Sequence, residues 1–196
     1  MDTAKHIELE DARVKLIPLQ KEHFNDLIHF SEKEPDLWEY SLVPGNGQEN
    51  LTNYISKALL DRENGNTYAF VVFDKKYKRI VGSTRFYDIQ PQHETTQLGF
   101  TWYGKKYQGT GINRACKFLL LEYAFENMNV QRVEFRADAN NARSISAMKK
   151  IGCTPEGILR SNCASPTGRR NSIILSILQS EWYSSVKKDL KPKYDL

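Results

Sequence analysis

At 196 residues and 22.7 kDa the chain fits one domain. Forty per cent apolar, 27% charged and 11% aromatic residues exclude a disordered chain, and seven Pro with eleven Gly exclude a collagen-like one. The net charge of +4 is too small for a nucleic-acid footprint, yet it is uneven: residues 1–139 carry 18 basic and 20 acidic side chains, and 140–196 carry 10 and 4. A basic C-terminal third suits either a small polyanion or a solvated surface.

In chain order, residues 14–18 read as a short strand ending at Pro18. Phe24, Leu27 and Ile28 suggest a first helix, and 37–47, with Pro44, Gly45 and Gly47, reads as loop. Leu51, Tyr54, Ile55, Ala58 and Leu59 follow one-sided helical spacing, closed by Asn64-Gly65-Asn66. Strands are then expected over 67–73 and 80–88 as an antiparallel pair, with a third over 95–102. Gly99 in that third strand suggests a bulge or a close backbone approach. A helix is expected from Ile112 to about Asn127, a strand over 132–137, and a helix from Asn141 to Ile151 with Gly152 as its C-cap. Two further strands, 154–160 and 171–178, and a helix over 181–190 before a frayed tail complete a mixed α+β domain.

No run approaches the roughly 18 apolar residues of a spanning helix, and the opening residues contain no signal-like apolar core. Cys116, Cys153 and Cys163 form neither a disulfide framework nor a zinc motif, and His6, His23 and His29 have no metal spacing. The expectation is therefore a cytoplasmic chain with reduced thiols, no metal and no membrane partner.

The most informative segment is Gln108, Gly109, Thr110, Gly111, Ile112 and Asn113, between a strand and a helix. Glycines let the backbone approach a ligand, and the first helical amides have no intrahelical acceptor, so this is an anion cradle. Ile112 and Asn113 after Gly111 exclude a P-loop, and Arg114 excludes a dinucleotide fingerprint.

The same six residues resemble the pyrophosphate motif of GNAT-type acyl-CoA N-acetyltransferases, with Asn113 departing at its last position. Two further ordered stretches add to it: 138–153 resembles the family's helix start and close, and 156–182 resembles the C-terminal run of its RimJ/RimL-like branch. The resemblance spans about Ile80 to Leu190, with 13–79 fitting more loosely. It implies a single-domain GNAT fold over 1–196: α+β, with a mixed, mostly antiparallel twisted sheet flanked by helices. Acetyl-CoA would be the co-substrate, bound between the third strand and the one beginning near Arg132. The backbone of Phe100, Thr101 and Trp102 would pair with the pantetheine arm, and the amides from Gln108 to Asn113 would hold the diphosphate. Asn141 would contact the arm, cap its own helix, or do both.

The implied reaction is direct attack of a primary amine, on a small molecule or a protein N-terminus, in a ternary complex. A main-chain N–H within 99–102 would meet the developing oxyanion. Many relatives carry a tyrosine acid where Met148 stands and a glutamate base where Gln97 stands; neither residue here can do that work. Ser144 is the acid candidate left by the branch pattern, with a plain helix-start hydroxyl as its alternative. Glu94 and His93 are expected in a turn, and the base is unassigned. Trp38 and Tyr40 either shape an acceptor pocket or pack. Arg143, Lys149 and Lys150 either reach the 3′-phosphate of CoA or face solvent. Cys116 is expected as a buried thiol. The branch admits a homodimer. The rival readings are a catalytically silent CoA-binding regulatory module and, more remotely, a nucleic-acid-binding domain.

Overall fold

The structure is a computed structural model that describes residues 1–166 and 168–192. Its described strands form one eight-stranded sheet in the order β1-β2-β3-β4-β5-β6-β8-β7. These are β1 (Leu9–Glu10), β2 (Val14–Pro18), β3 (Thr67–Asp74), β4 (Arg79–Gln90), β5 (Thr95–Tyr103), β6 (Arg132–Asp138), β7 (Thr154–Ser165) and β8 (Gly168–Leu178). The helices α1 (Phe24–Lys33), α2 (Gln48–Glu63), α3 (Ile112–Glu122) and α4 (Ala142–Lys150) are joined by a C-terminal helical segment over 179–190.

β3 is apolar and almost wholly buried along its length because it is covered on both faces. Side-chain alternation assigns those faces. On β4, Arg85 stacks on Tyr54 of α2, whereas the neighbouring Thr84 meets Lys117 of α3. So α2 and α3 cover opposite sides. Both α3 and α4 lie in crossovers between parallel strands that advance the same way across the sheet, so right-handed connections put them on one face. Trp182, fully buried, seals that face by stacking on Phe125 with centroids 5.6 Å apart. Its indole N–H donates to Glu126 at 2.9 Å.

One feature of the sheet positions everything else. β5 and β6 are parallel and pair only through Thr95–Arg132, Thr96–Val133 and Gln97–Glu134. Beyond Gln97 they diverge, leaving a V whose mouth points toward the start of α3.

The expected elements are all present, with corrections. The last two strands are longer than expected, because β7 is an exposed edge strand whose polar residues carry no apolar alternation. β1, two residues long, is too short to show a period. The expected helix to Asn127 ends its α-helical part at Glu122 and finishes in a π-helical turn, Tyr123–Asn127. The C-terminal helical segment begins at Gln179, two residues early. The tail expected to fray falls partly on residues 193–196, which lie outside the described residues.

Candidate active site

The wall of the V built by β5 carries a bulge. Arg85 of β4 pairs with Gly99 and Ser83 with Trp102, so Thr84 faces both Phe100 and Thr101. Phe100 takes φ of 49°, in the left-handed region, which turns the strand outward. Gly99 itself is not the extra residue; it makes room, because a Cβ there would lie 2.8 Å from the Tyr87 ring. The expected bulge is thus one residue later, and the expected close approach is Tyr87. On the β6 side, Phe100, Thr101 and Trp102 have no strand partner among the described residues. Trp102 sends its indole into the core, 5.0 Å from the ring of Trp38. Trp38 is therefore a packing residue, 5% exposed, while Tyr40 lies on the surface.

The mouth of the V is the loop 108–111. Gly109 (φ 72°) and Gly111 (φ 88°) both need the left-handed region, and a Cβ on either would meet nothing within 4 Å. The glycines therefore answer a backbone conformation, and the space above them is open. Gly111 is the N-cap of α3 and supplies no side-chain cap, so no capping side chain covers the amides opening the helix. Thr110 Oγ1 donates to the Tyr107 carbonyl at 2.6 Å, holding the loop's shape. Ile112 is fully buried beneath it, and Asn113 Oδ1 accepts from the Tyr103 hydroxyl at 3.3 Å. Gln108 Nε2 donates to the Tyr103 carbonyl at 2.9 Å, and its Oε1 accepts from Arg143 at 2.6 Å. A diphosphate fits this cradle: open amides, no side chain in the way, and no carboxylate among the loop residues.

Asn141 caps α4: its Oδ1 accepts from the Ser144 amide at 3.0 Å. Ser144 is half-buried in the first turn of α4, and its hydroxyl has no partner among the described residues. Met148 packs against the core. Arg143 braces Gln108, whereas Lys149 and Lys150 sit exposed at the other end of α4, about 10 Å along its axis. Glu94 and His93 are exposed in the turn after β4, where they were expected.

Three features leave little or no mark in the sequence. Gln97 Nε2 donates to Asp88 Oδ2 at 2.6 Å, so the amide holds a carboxylate of the neighbouring strand in place. Arg85, 3% exposed, is clamped between the rings of Tyr54 and Phe100, its guanidinium carbon 4.6 and 4.1 Å from their centroids. Its Nε and Nη2 are buried with no hydrogen-bond partner. Lys117 is buried under the bulge and donates to Thr101 Oγ1 at 2.8 Å. For Lys117 the available signal is a lone cation inside the apolar run 115–121; Arg85, preceded by Gly82, Ser83 and Thr84, carries no such mark. Burial pushes Lys117 down to about 8 and the thiol of its neighbour Cys116 up to about 12; Cys116, fully buried, is the buried thiol expected. Among the described residues no cluster of three or more His, Cys, Asp or Glu could hold a metal, and no helix is long and apolar enough to cross a membrane.

Comparison with known proteins agrees with this geometry. The family model described as "Acetyltransferase (GNAT) domain" matches residues 13–154. A relative in Bacillus subtilis (strain 168), named a probable N-acetyltransferase, YjcK, is 28% identical over 157 residues, covering 80% of this chain and 82% of its own. The solved GCN5-related N-acetyltransferase from Brucella melitensis is 22% identical and superposes with a TM-score of 0.86 over 96% of this chain and 87% of its own. The microcin C7 self immunity acetyltransferase MccE, solved in complex with acetyl-CoA and AMP, is 19% identical, with a TM-score of 0.75 over 86% of this chain and 93% of its own. At those identities the two structures speak to the fold.

Proposed function

From the premise that the chain belongs to the GNAT acetyltransferase family and is an N-acetyltransferase using acetyl-CoA, we propose that residues 1–196 form one RimJ/RimL-like domain acetylating a primary amine, on a small molecule or a protein N-terminus. The observation that carries this reading is the parting of β5 from β6 beside a glycine loop whose amides open α3.

In that reading the free edge at Phe100, Thr101 and Trp102 pairs with the pantetheine arm as an added strand. The amides from Gln108 to Asn113 hold the diphosphate, with Gly109, Thr110, Gly111 and Ile112 setting the loop. Asn141 holds the first turn of α4 in place beside them. A main-chain N–H of the bulge meets the charge that develops on the thioester oxygen. The hydroxyl of Ser144 hydrogen-bonds the departing sulfur. Asp88, held by Gln97, can accept a proton from the acceptor amine on the α2 face. The three cysteines, all free, suit the cytoplasmic expectation. Exposed Ile158 and Leu159 on β7 offer a second copy an apolar edge, which sedimentation at high concentration would test.

Titration calorimetry with acetyl-CoA tests the cofactor reading; no heat at high protein concentration would sink it. Met148 and Gln97 keep a second reading in play, a silent CoA-binding module. Thiol release over a panel of amines and N-terminal peptides separates the two, because release above the acceptor-free rate removes the silent module.

A further inference from the structure

Lys117 lies on α3 within Ala115–Leu121, where every side chain is buried, and is itself 5% exposed. Its Nζ donates to Thr101 Oγ1 at 2.8 Å and to Thr84 Oγ1 at 3.4 Å. Across the cleft it lies 5.7 Å from the centroid of the Phe135 ring. Thr101 is on β5 beyond its last pairing with β6, and Phe135 is the first β6 residue past the Gln97–Glu134 pair. The ammonium therefore stands at the angle of the V, on the face covered by α3 and α4.

The groups around it are neutral. They are two hydroxyls from β4 and β5, the Phe135 ring, and the thiols of Cys116 and Cys153, both raised to about 12. Among the described residues no carboxylate pairs with Lys117. A buried ammonium without an anion is costly, and two hydroxyls leave one of its three donors unspent. Its place along the helix matters too. Lys117 is six residues past Gly111, about 9 Å down α3 from the loop amides, in the direction that runs from the mouth of the V toward its angle.

We propose that Lys117 is a catalytic residue of the acetyl transfer, its ammonium stabilising the thiolate as it leaves and giving it a proton. This rests on the acetyl-CoA reading above. The neutral acceptor amine forms the new C–N bond, the C–S bond breaks with its electron pair on sulfur, and one Nζ proton passes to that sulfur. The acetylated nitrogen releases its surplus proton to Asp88, which passes it to water, and Lys117 takes one back from water. Burial that pushes Lys117 down to about 8 makes it a readier donor than an exposed lysine. The Ser144 hydroxyl, less acidic than a thiol, hydrogen-bonds the sulfur without neutralising it.

The test follows the ultraviolet absorbance of the CoA thiolate through a pH titration of the protein–CoA complex. In wild type the thiol pKa should fall by about one unit or more, the effect of an opposite charge within ~4–6 Å. In Lys117→Met it should return to that of free CoA while calorimetry still records CoA binding, and kcat should fall with little change in KM for acetyl-CoA. A thiol that titrates in the wild-type complex as it does in free CoA overturns the proposal, whether or not the variant folds. Absence of CoA binding to wild type removes the cofactor reading itself, and the two failures are told apart by the calorimetry.

Discussion

Arg143 Nη1 donates to Gln108 Oε1 at 2.6 Å, tying the first turn of α4 to the loop that opens α3. Because Gln108 also donates to the Tyr103 carbonyl at 2.9 Å, loop, strand and helix form one braced unit. Arg143 is exposed, so Arg143→Ala should change stability by no more than about 0.5 kcal/mol. Affinity for CoA should weaken through the loosened loop. Calorimetry with CoA and with 3′-dephospho-CoA checks the route: equal weakening for both ligands assigns Arg143 to the brace, and loss confined to CoA assigns it to the 3′-phosphate.

Gly111→Ala places a Cβ in open space at φ of 88°. Holding an L-residue there costs about 1–2 kcal/mol, which should appear as a lower Tm. Acetyl-CoA affinity should fall further, since the new methyl stands where the diphosphate is expected. Gly65→Ala is the control, with φ of 76° and nothing within 4 Å, but far from the cleft. It should lose similar stability and keep its affinity.

Lys117 also makes stability depend on pH in a stated direction. Burial lowers it from 10.5 to about 8, so between those values the unfolded chain binds a proton that the native one does not. Native stability therefore rises with pH across that window, and the full cost, about 3 kcal/mol, is present below pH 8. Lys117→Met carries no such cost. Urea unfolding of both proteins should show the variant's advantage shrinking from pH 7.5 toward pH 10.5; an advantage constant with pH would contradict the assignment.

Asn141→Ala removes the acceptor of the Ser144 amide and should cost about 1 kcal/mol. If the cap is its whole role, Asn141→Asp should restore both stability and acetyl-CoA affinity. If the side chain also meets the pantetheine arm, stability returns and affinity does not.

What could be read ahead was local. The loop from Gln108 to Asn113 and the cap at Asn141 depend on contacts within a few residues, so residue type and order reveal them. The strands of the meander announced themselves by apolar runs. β7 did not, because an exposed edge strand has no buried face to impose a period. Glu94 and His93 stand in the turn that their neighbours imply. The residue type alone shows that Gln97 cannot act as a base, but its bond to Asp88 reaches across two strands and leaves no mark in the order of residues.

By itself the sequence determined the fold class, the glycine loop that opens α3 and the family resemblance, since each is written in short-range pattern. Only the tertiary structure decided where β5 and β6 part, that Phe100 rather than Gly99 is the extra residue of the bulge, and that Lys117 and Arg85 are buried beside it. The reason is physical. Burial of a charge and the register of two strands depend on partners many residues away, and those partners meet only once the sheet has closed over its core.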